Sequence, residues 1–211
     1  MKKTLLFLLL VLQSLFASAD KSGQCGDGLT YVYKETTKQL TINKTDTGTG
    51  MMAEDVNWCD YEIKTVIIGS GVKSISSFSG CSDLRSITIP SSVSTIGAYA
   101  FQRCNSLTEV HIEDIAAWCN IPFLSRYSNP LEFAHHLFLN GQEITSLVIP
   151  DGVESINDWA FYGCNEITSI YIPNSVTSIG NNAFTGCRGL IAVEIPNSVT
   201  KIDDYAFQNC I

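Results

Sequence analysis

A strict period constrains this chain more than any other feature. Cys164, Cys187 and Cys210 stand 23 residues apart, and each closes the same phrase, as in Ala160-Phe161-Tyr162-Gly163-Cys164. Between them, Ile149-Pro150, Ile172-Pro173 and Ile195-Pro196 recur at the same interval. A unit this short cannot bury its own apolar face and needs a neighbour stacked on each side, so the period predicts a solenoid.

Within each unit, apolar residues fall at relative positions 1, 4 and 6, from Ile63/Val66/Ile68 to Leu190/Val193/Ile195, with proline next in most copies. Positions 4 and 6 alternate as a short strand does, and the residue between them points outward. The strands are expected to stack into a parallel sheet. Next comes Ser-Val-x-x-Ile-Gly or a variant, as in Ser175-Val176-Thr177-Ser178-Ile179-Gly180, whose β-branched residues turn back into the core. Ala-Phe-x-x-Cys then closes the turn and puts Phe101, Phe161, Phe184 and Phe207 in one buried aromatic column.

Five of the eight cysteines, Cys81, Cys104, Cys164, Cys187 and Cys210, occupy one repeat position. Stacked rungs bring equivalent residues to about 5 Å. Their Cβ vectors point the same way rather than at each other, which does not suit a disulfide. The expectation is a column of buried free thiols acting as small hydrophobes. Cys25 and Cys59 flank the segment before the repeats and are candidates for a disulfide stapling an N-terminal cap.

The phrase Ile-Pro-Asn-Ser-Val-Thr-Ser-Ile-Gly-Asn-Asn-Ala-Phe-Thr-Gly-Cys, residues 172 to 187, resembles the BspA-like leucine-rich repeat of bacterial surface proteins, also abundant in some parasitic protists. The resemblance covers residues 63 to 211 with one interruption. It implies a mainly β solenoid of the leucine-rich-repeat type. It also implies an exported or cell-surface protein, since several members bind host matrix proteins or other cells. No catalytic motif comes with it.

Two units depart from the pattern. The first is short, with two residues between Ile75 and Phe78 where four separate Ile96 from Phe101. Between Ile112 and Phe138 another is 14 residues too long, because Cys104 to Gly141 spans 37 residues rather than 23. Inside it, 114–121 and 129–137 read as short helices, the second with Asn129 as cap and Pro130 in the first turn. This insertion is expected to bulge from one face and to lie near a binding surface.

Residues 1–19 run from Lys2-Lys3 through an apolar stretch to Ala17-Ser18-Ala19, the order of a secretory leader. No cysteine directly follows it, so no lipoprotein signal is expected, and no second apolar run is long enough to span a bilayer. Residues 20–60 read as an N-terminal cap containing a hairpin of 29–33 with 39–42. Repeats occupy 61–112, the helical insertion 113–137 and further repeats 138–211, where the last rung is expected to be open or truncated. The 13 basic and 21 acidic residues give a net charge of −8, which argues against nucleic acid or an anionic membrane surface as partner.

The chemistry-bearing residues are sparse. His111 alternates between inward Val110 and Ile112, so it should face solvent. Adjacent His135 and His136 diverge by about 100° on a helix and cannot chelate one metal together. Pairing Cys119 with either histidine as a nucleophile is conceivable, but Cys119 follows Trp118 in an apolar helix and reads as core. No catalytic residue, metal or cofactor is expected. What remains is a surface: Ile67, Thr88, His111, Val148, Tyr171 and Glu194 form one outward ladder. Thr65, Ser86, Glu109, Ser146, Ser169 and Ala192 form a second beside it. Aromatic and aliphatic residues with few lysines suit an interface. The partner is expected to be a protein or glycan outside the cell, with end-to-end stacking on further repeats as the alternative.

Overall fold

The computed structural model describes residues 19–210, so the leader lies outside the described residues except for its last position. The chain begins with three antiparallel strands, β1 (Lys21–Asp27), β2 (Leu29–Lys34) and β3 (Gln39–Lys44), followed by the short β4 (Met51–Met52). The rungs follow. Each gives a longer strand to one sheet and a two-residue strand to another: β5 (Thr65–Ile68) with β6 (Ser74–Ile75), β7 (Ser86–Ile89) with β8 (Thr95–Ile96), then β9 (Glu109–Ile112). Two helices, α1 (Ile115–Cys119) and α2 (Leu131–Ala134), lead to the hairpin β10 (Leu137–Leu139) and β11 (Gln142–Glu143). The regular pattern then resumes with β12 (Ser146–Val148), β13 (Ser155–Ile156), β14 (Ser169–Tyr171), β15 (Ser178–Ile179), β16 (Ala192–Val193) and β17 (Lys201–Ile202).

The cap works by continuing the ladder. Strand β3 pairs in parallel with β5, setting Leu40 beside Val66 and Ile42 beside Ile68. All four side chains are buried. The first rung therefore meets a strand of its own kind, while β2 and β1 lie beyond it in antiparallel order. Trp58 fills the space beneath, with Tyr31 packed edge-on to it at 5.2 Å between ring centroids.

The aromatic column is real but comes in two halves. Phe161, Phe184 and Phe207 stack at 5.3 and 5.2 Å with nearly parallel rings. Phe101 stacks on Phe78, and Phe78 on Trp58, each at 6.0 Å. Phe78 thus keeps its place although its rung is short, and Trp58 from the cap ends the stack. Burying a side chain such as Phe184 fully is worth about 3–5 kcal/mol against alanine.

The thiols follow the rings. Cys104, Cys187 and Cys210 donate from Sγ to the carbonyls of Phe78, Phe161 and Phe184 at 3.2, 3.2 and 3.1 Å. A weak donor thereby finds an acceptor in the preceding rung. The bridge expected between Cys25 and Cys59 is not formed, for both are free thiols. Cys25 is buried under the cap, whereas Cys59 is exposed and donates to the Ser79 carbonyl at 2.8 Å. Its position 22 residues before Cys81 makes it the first member of the column instead.

The expected bulge is also corrected. The insertion folds into the stack and replaces a rung, because its own apolar residues demand burial: Ile115, Trp118 and Cys119 share one face of α1, and Ile121, Phe123 and Leu131 join them in the core. Both helices are shorter than expected. The second ends before Leu137, which enters β10 beside Val110. The cap position falls on Pro130 rather than on Asn129, which stands one residue earlier and accepts the Leu131 N–H on Oδ1 at 2.9 Å.

Regular rungs are tied in two directions. The amides of Gly97, Gly180 and Asp203 donate back to the carbonyls of Ile75, Ile156 and Ile179, and those of Phe78, Phe161 and Phe184 donate forward to Ala100, Ala183 and Ala206. At the insertion, Cys119 supplies the carbonyl for Asn157 at 3.1 Å and Tyr127 the one for Phe101 at 3.0 Å. Side chains reinforce the joint: Trp118 Nε1 donates to the Ala160 carbonyl at 2.7 Å, and Asn129 Nδ2 to the Trp159 carbonyl at 2.7 Å. Asn129 is completely buried, so Asn129→Leu keeps the branched shape while leaving the buried Leu131 N–H without its acceptor. This variant is expected to lose about 1–3 kcal/mol and to unfold in urea less cooperatively than the parent, read by fluorescence and circular dichroism together.

Candidate binding surface

The alternation of each strand decides what faces solvent. In β5, β7 and β9 the second and fourth residues are buried and the third is half-buried, which puts Ile67, Thr88 and His111 outward. Their Cα partners run in one line: Thr41, Ile67, Thr88, His111 and Phe138. His111 stacks on Phe138 at 4.6 Å, and its Nε2 lies 3.1 Å from Glu109 Oε2. Phe138 is not among the outward residues that the period predicts, because it ends the overlong unit, where the spacing is broken. Its true signal is the alternation Leu137-Phe138-Leu139, a strand pattern inside the irregular segment.

The single ladder expected across the sheet is divided. The β10–β11 hairpin ends the first sheet, and β12, β14 and β16 form a separate one. Val148 and Tyr171 are paired neighbours there, 56% and 59% exposed, against the half-buried outward residues of the first sheet. Beside them Ser146 and Ser169 share a hydrogen bond at 2.9 Å. Tyr171, Ser169, Asn174, Glu194 and Ile195 line an open cleft of about 540 Å³. The second ladder keeps its register in both sheets, as Thr65–Ser86–Glu109 and as Ser146–Ser169–Ala192. The arrangement offers an aromatic ring, an aliphatic neighbour, hydroxyls and one carboxylate, which suits contact rather than bond-making.

The remaining candidates are held by local structure. His135 closes α2 in a left-handed conformation, with Nδ1 3.1 Å from the Gly163 carbonyl, and burial lowers its pKa. His136 points elsewhere, with Nδ1 2.5 Å from Glu143 Oε1. Cys119 is buried among apolar groups, and burial pushes its thiol up to about 12. Asp27 spends its carboxylate on the Thr49 N–H and hydroxyl at 2.8 and 2.7 Å, which holds a turn. Among the described residues no group of three or more His, Cys, Asp or Glu could hold a metal ion, and no helix is long and apolar enough to cross a membrane.

The BspA type leucine rich repeat region profile matches residues 51–129 and 131–211 in six copies, most of the chain. The chain belongs to the BspA-type leucine-rich repeat family. Proteins of this BspA type are generally non-catalytic repeat proteins of the cell surface. A leucine-rich repeat protein from Bacteroides ovatus is similar in fold, with 22% identity and a TM-score of 0.51 over 91% of this chain and 50% of its own. A leucine rich cell surface protein from Faecalibacterium prausnitzii is 25% identical with a TM-score of 0.44, over 92% of this chain and 53% of that one. This BspA-type chain therefore spans about half the length of these two solved relatives. No curated protein matches it.

Burial separates the thiols sharply. Burial pushes Cys104 and Cys187, like Cys119, up to about 12, so almost no thiolate exists at pH 8. Cys59 alone is exposed. An aromatic disulfide reagent at pH 8 is expected to label Cys59 at once and Cys119 only at the rate of unfolding. Mass spectrometry of the first labelled species gives the answer, and rapid labelling of Cys119 would contradict its structural role.

Proposed function

We propose that this protein is displayed outside the cell and binds a protein partner through the sheet face centred on Tyr171, without catalysis, in an adhesive role. The observation that carries this reading is the large exposed aromatic ring of Tyr171 beside Val148 on a rigid strand above an open cleft. Tyrosine contributes contact area at low entropic cost, and such anchors dominate interface energies. The leader pattern of residues 1–19 supports export. The few charges on this face suit a neutral protein surface better than a polyanion.

With a panel of immobilised extracellular matrix proteins, the parent is expected to bind at least one, and Tyr171→Ala to weaken that binding by about 10-fold or more without changing the melting temperature. Equal binding by both proteins would rule out this face.

A second reading is favoured by the last described rung, where Ile191 is 86% exposed and Ile202 49% exposed. Leu190, Val193, Phe207 and Cys210 line a cleft beside them. This edge suits end-to-end stacking on further repeats. Sedimentation velocity is expected to show mass rising with concentration, and Ile202→Lys to abolish the rise. A single monomeric species at all concentrations would dismiss stacking between copies.

A further inference from the structure

The turns carry a feature that the sheet face does not explain. Two places before Phe101, Phe161, Phe184 and Phe207 stand Tyr99, Trp159, Asn182 and Tyr205. At Trp159, Asn182 and Tyr205 the backbone is left-handed, with φ of 63°, 55° and 62°. Asparagine adopts this conformation readily, whereas a bulky aromatic residue there is strained. The stacking of rungs enforces it: the Trp159 N–H donates to the Asn181 carbonyl at 2.9 Å and the Asn182 N–H to the Asp204 carbonyl at 3.1 Å. Asn182 shows which residue is at ease in this turn. Trp159 and Tyr205 put aromatic rings there against that preference.

Core packing accounts for only part of Trp159, which rests half-buried against the core, and it does not account for Tyr205. Tyr205 is 62% exposed, and half-buried Trp159 lines an open cleft with Leu124, Asn157 and Asp158. The joint adds to the row: Tyr162 lies 5.2 Å from Trp159, Tyr127 lies 6.4 Å from exposed Tyr99, and the Arg126 guanidinium sits 4.7 Å over Tyr127.

We propose that this aromatic row binds a neutral linear polysaccharide, whose sugar rings stack on Trp159 and Tyr205 and whose hydroxyls bond the side chains between them. The spacing fits. Along the Phe161–Phe184–Phe207 stack the rungs are 5.3 and 5.2 Å apart, so Trp159 and Tyr205, two rungs apart, are separated by about 10 Å along the solenoid. That step is commensurate with two residues of an extended glycan. Asn182 lies at the intermediate step with an amide that both donates and accepts.

The C–H face of a pyranose is weakly positive and meets the negative face of an aromatic ring. Asn157, Asp158, Asn181 and Asp204 flank the Trp159–Tyr205 stretch, and Arg126, the cation beside Tyr127, is paired with Glu132 at 3.7 Å. With the chain's net charge of −8, this disfavours acidic glycans and selects neutral ones. A protein partner fits less well, because polar residues interrupt the rings and leave no continuous dry centre. The proposal is independent of the sheet-face reading, which uses other strands and other residues.

Native affinity electrophoresis of the full chain in gels containing soluble xylan, mixed-linkage β-glucan or galactomannan tests it. At least one polymer is expected to retard the parent. Trp159→Asn and Tyr205→Asn are each expected to weaken that affinity at least tenfold, and for exposed Tyr205→Asn the melting temperature is expected to hold or rise, because asparagine relieves the strained turn. Tyr171→Ala is expected to be retarded like the parent. The proposal is overturned if no polymer retards the parent, or if both asparagine variants migrate as the parent does. It is equally overturned if the asparagine variants lose binding to an immobilised matrix protein while no glycan retards any form.

Discussion

Every rung in this molecule must present a carbonyl where its neighbour presents an amide. The turn of each unit sends one hydrogen bond forward and receives another, and the strands add their own parallel ladders. This exchange fixes the distance between rungs and hence the stacking of the phenylalanines and the alignment of the thiols. It also explains how an irregular segment is tolerated. The insertion breaks the repeat's spacing and carries two short helices, yet Cys119 and Tyr127 offer carbonyls at the two places where the neighbouring rungs need them. Buried backbone groups left without partners would cost more than the local distortion.

The periodic part of the fold was legible because burial repeats with the sequence. Val66, Ile87 and Val110 recur at one register and are all buried, so position in the period decides environment. The insertion was not legible in the same way. Its length marked it as an addition, and additions usually lie outside a packed core. What overrode that expectation was composition: Trp118, Phe123 and Leu131 are too apolar to remain outside. Cys59 was misassigned for a related reason. Counted in pairs, it looked like a partner for Cys25. Counted by period, it precedes Cys81 by 22 residues and belongs to the column. The outward ladder was correct strand by strand but not across the break at β11, since alternation says nothing about which strands share a sheet.

The surface therefore has two characters on one scaffold. The sheet side presents side chains by strand alternation, where any outward residue is allowed without strain. The turn side presents them from a backbone that rejects most residues, so what stands there carries more information. Tyr171 can be read as an ordinary exposed tyrosine in a comfortable place. Trp159 and Tyr205 sit where the neighbouring turn has asparagine. The regular architecture makes this comparison possible, because each rung serves as a control for the next.

The free thiols have a consequence for how the molecule is made. Eight cysteines can be fully paired in 105 ways, and in the finished structure none is paired while six are buried. Once the rungs have closed, an oxidising environment finds little to attack. Before they close, every thiol is open to it. A chain of this kind emerging into such an environment is in a race between stacking and oxidation, which rewards rungs that form locally and in sequence. The short period, with most contacts between adjacent units, provides for that order of assembly.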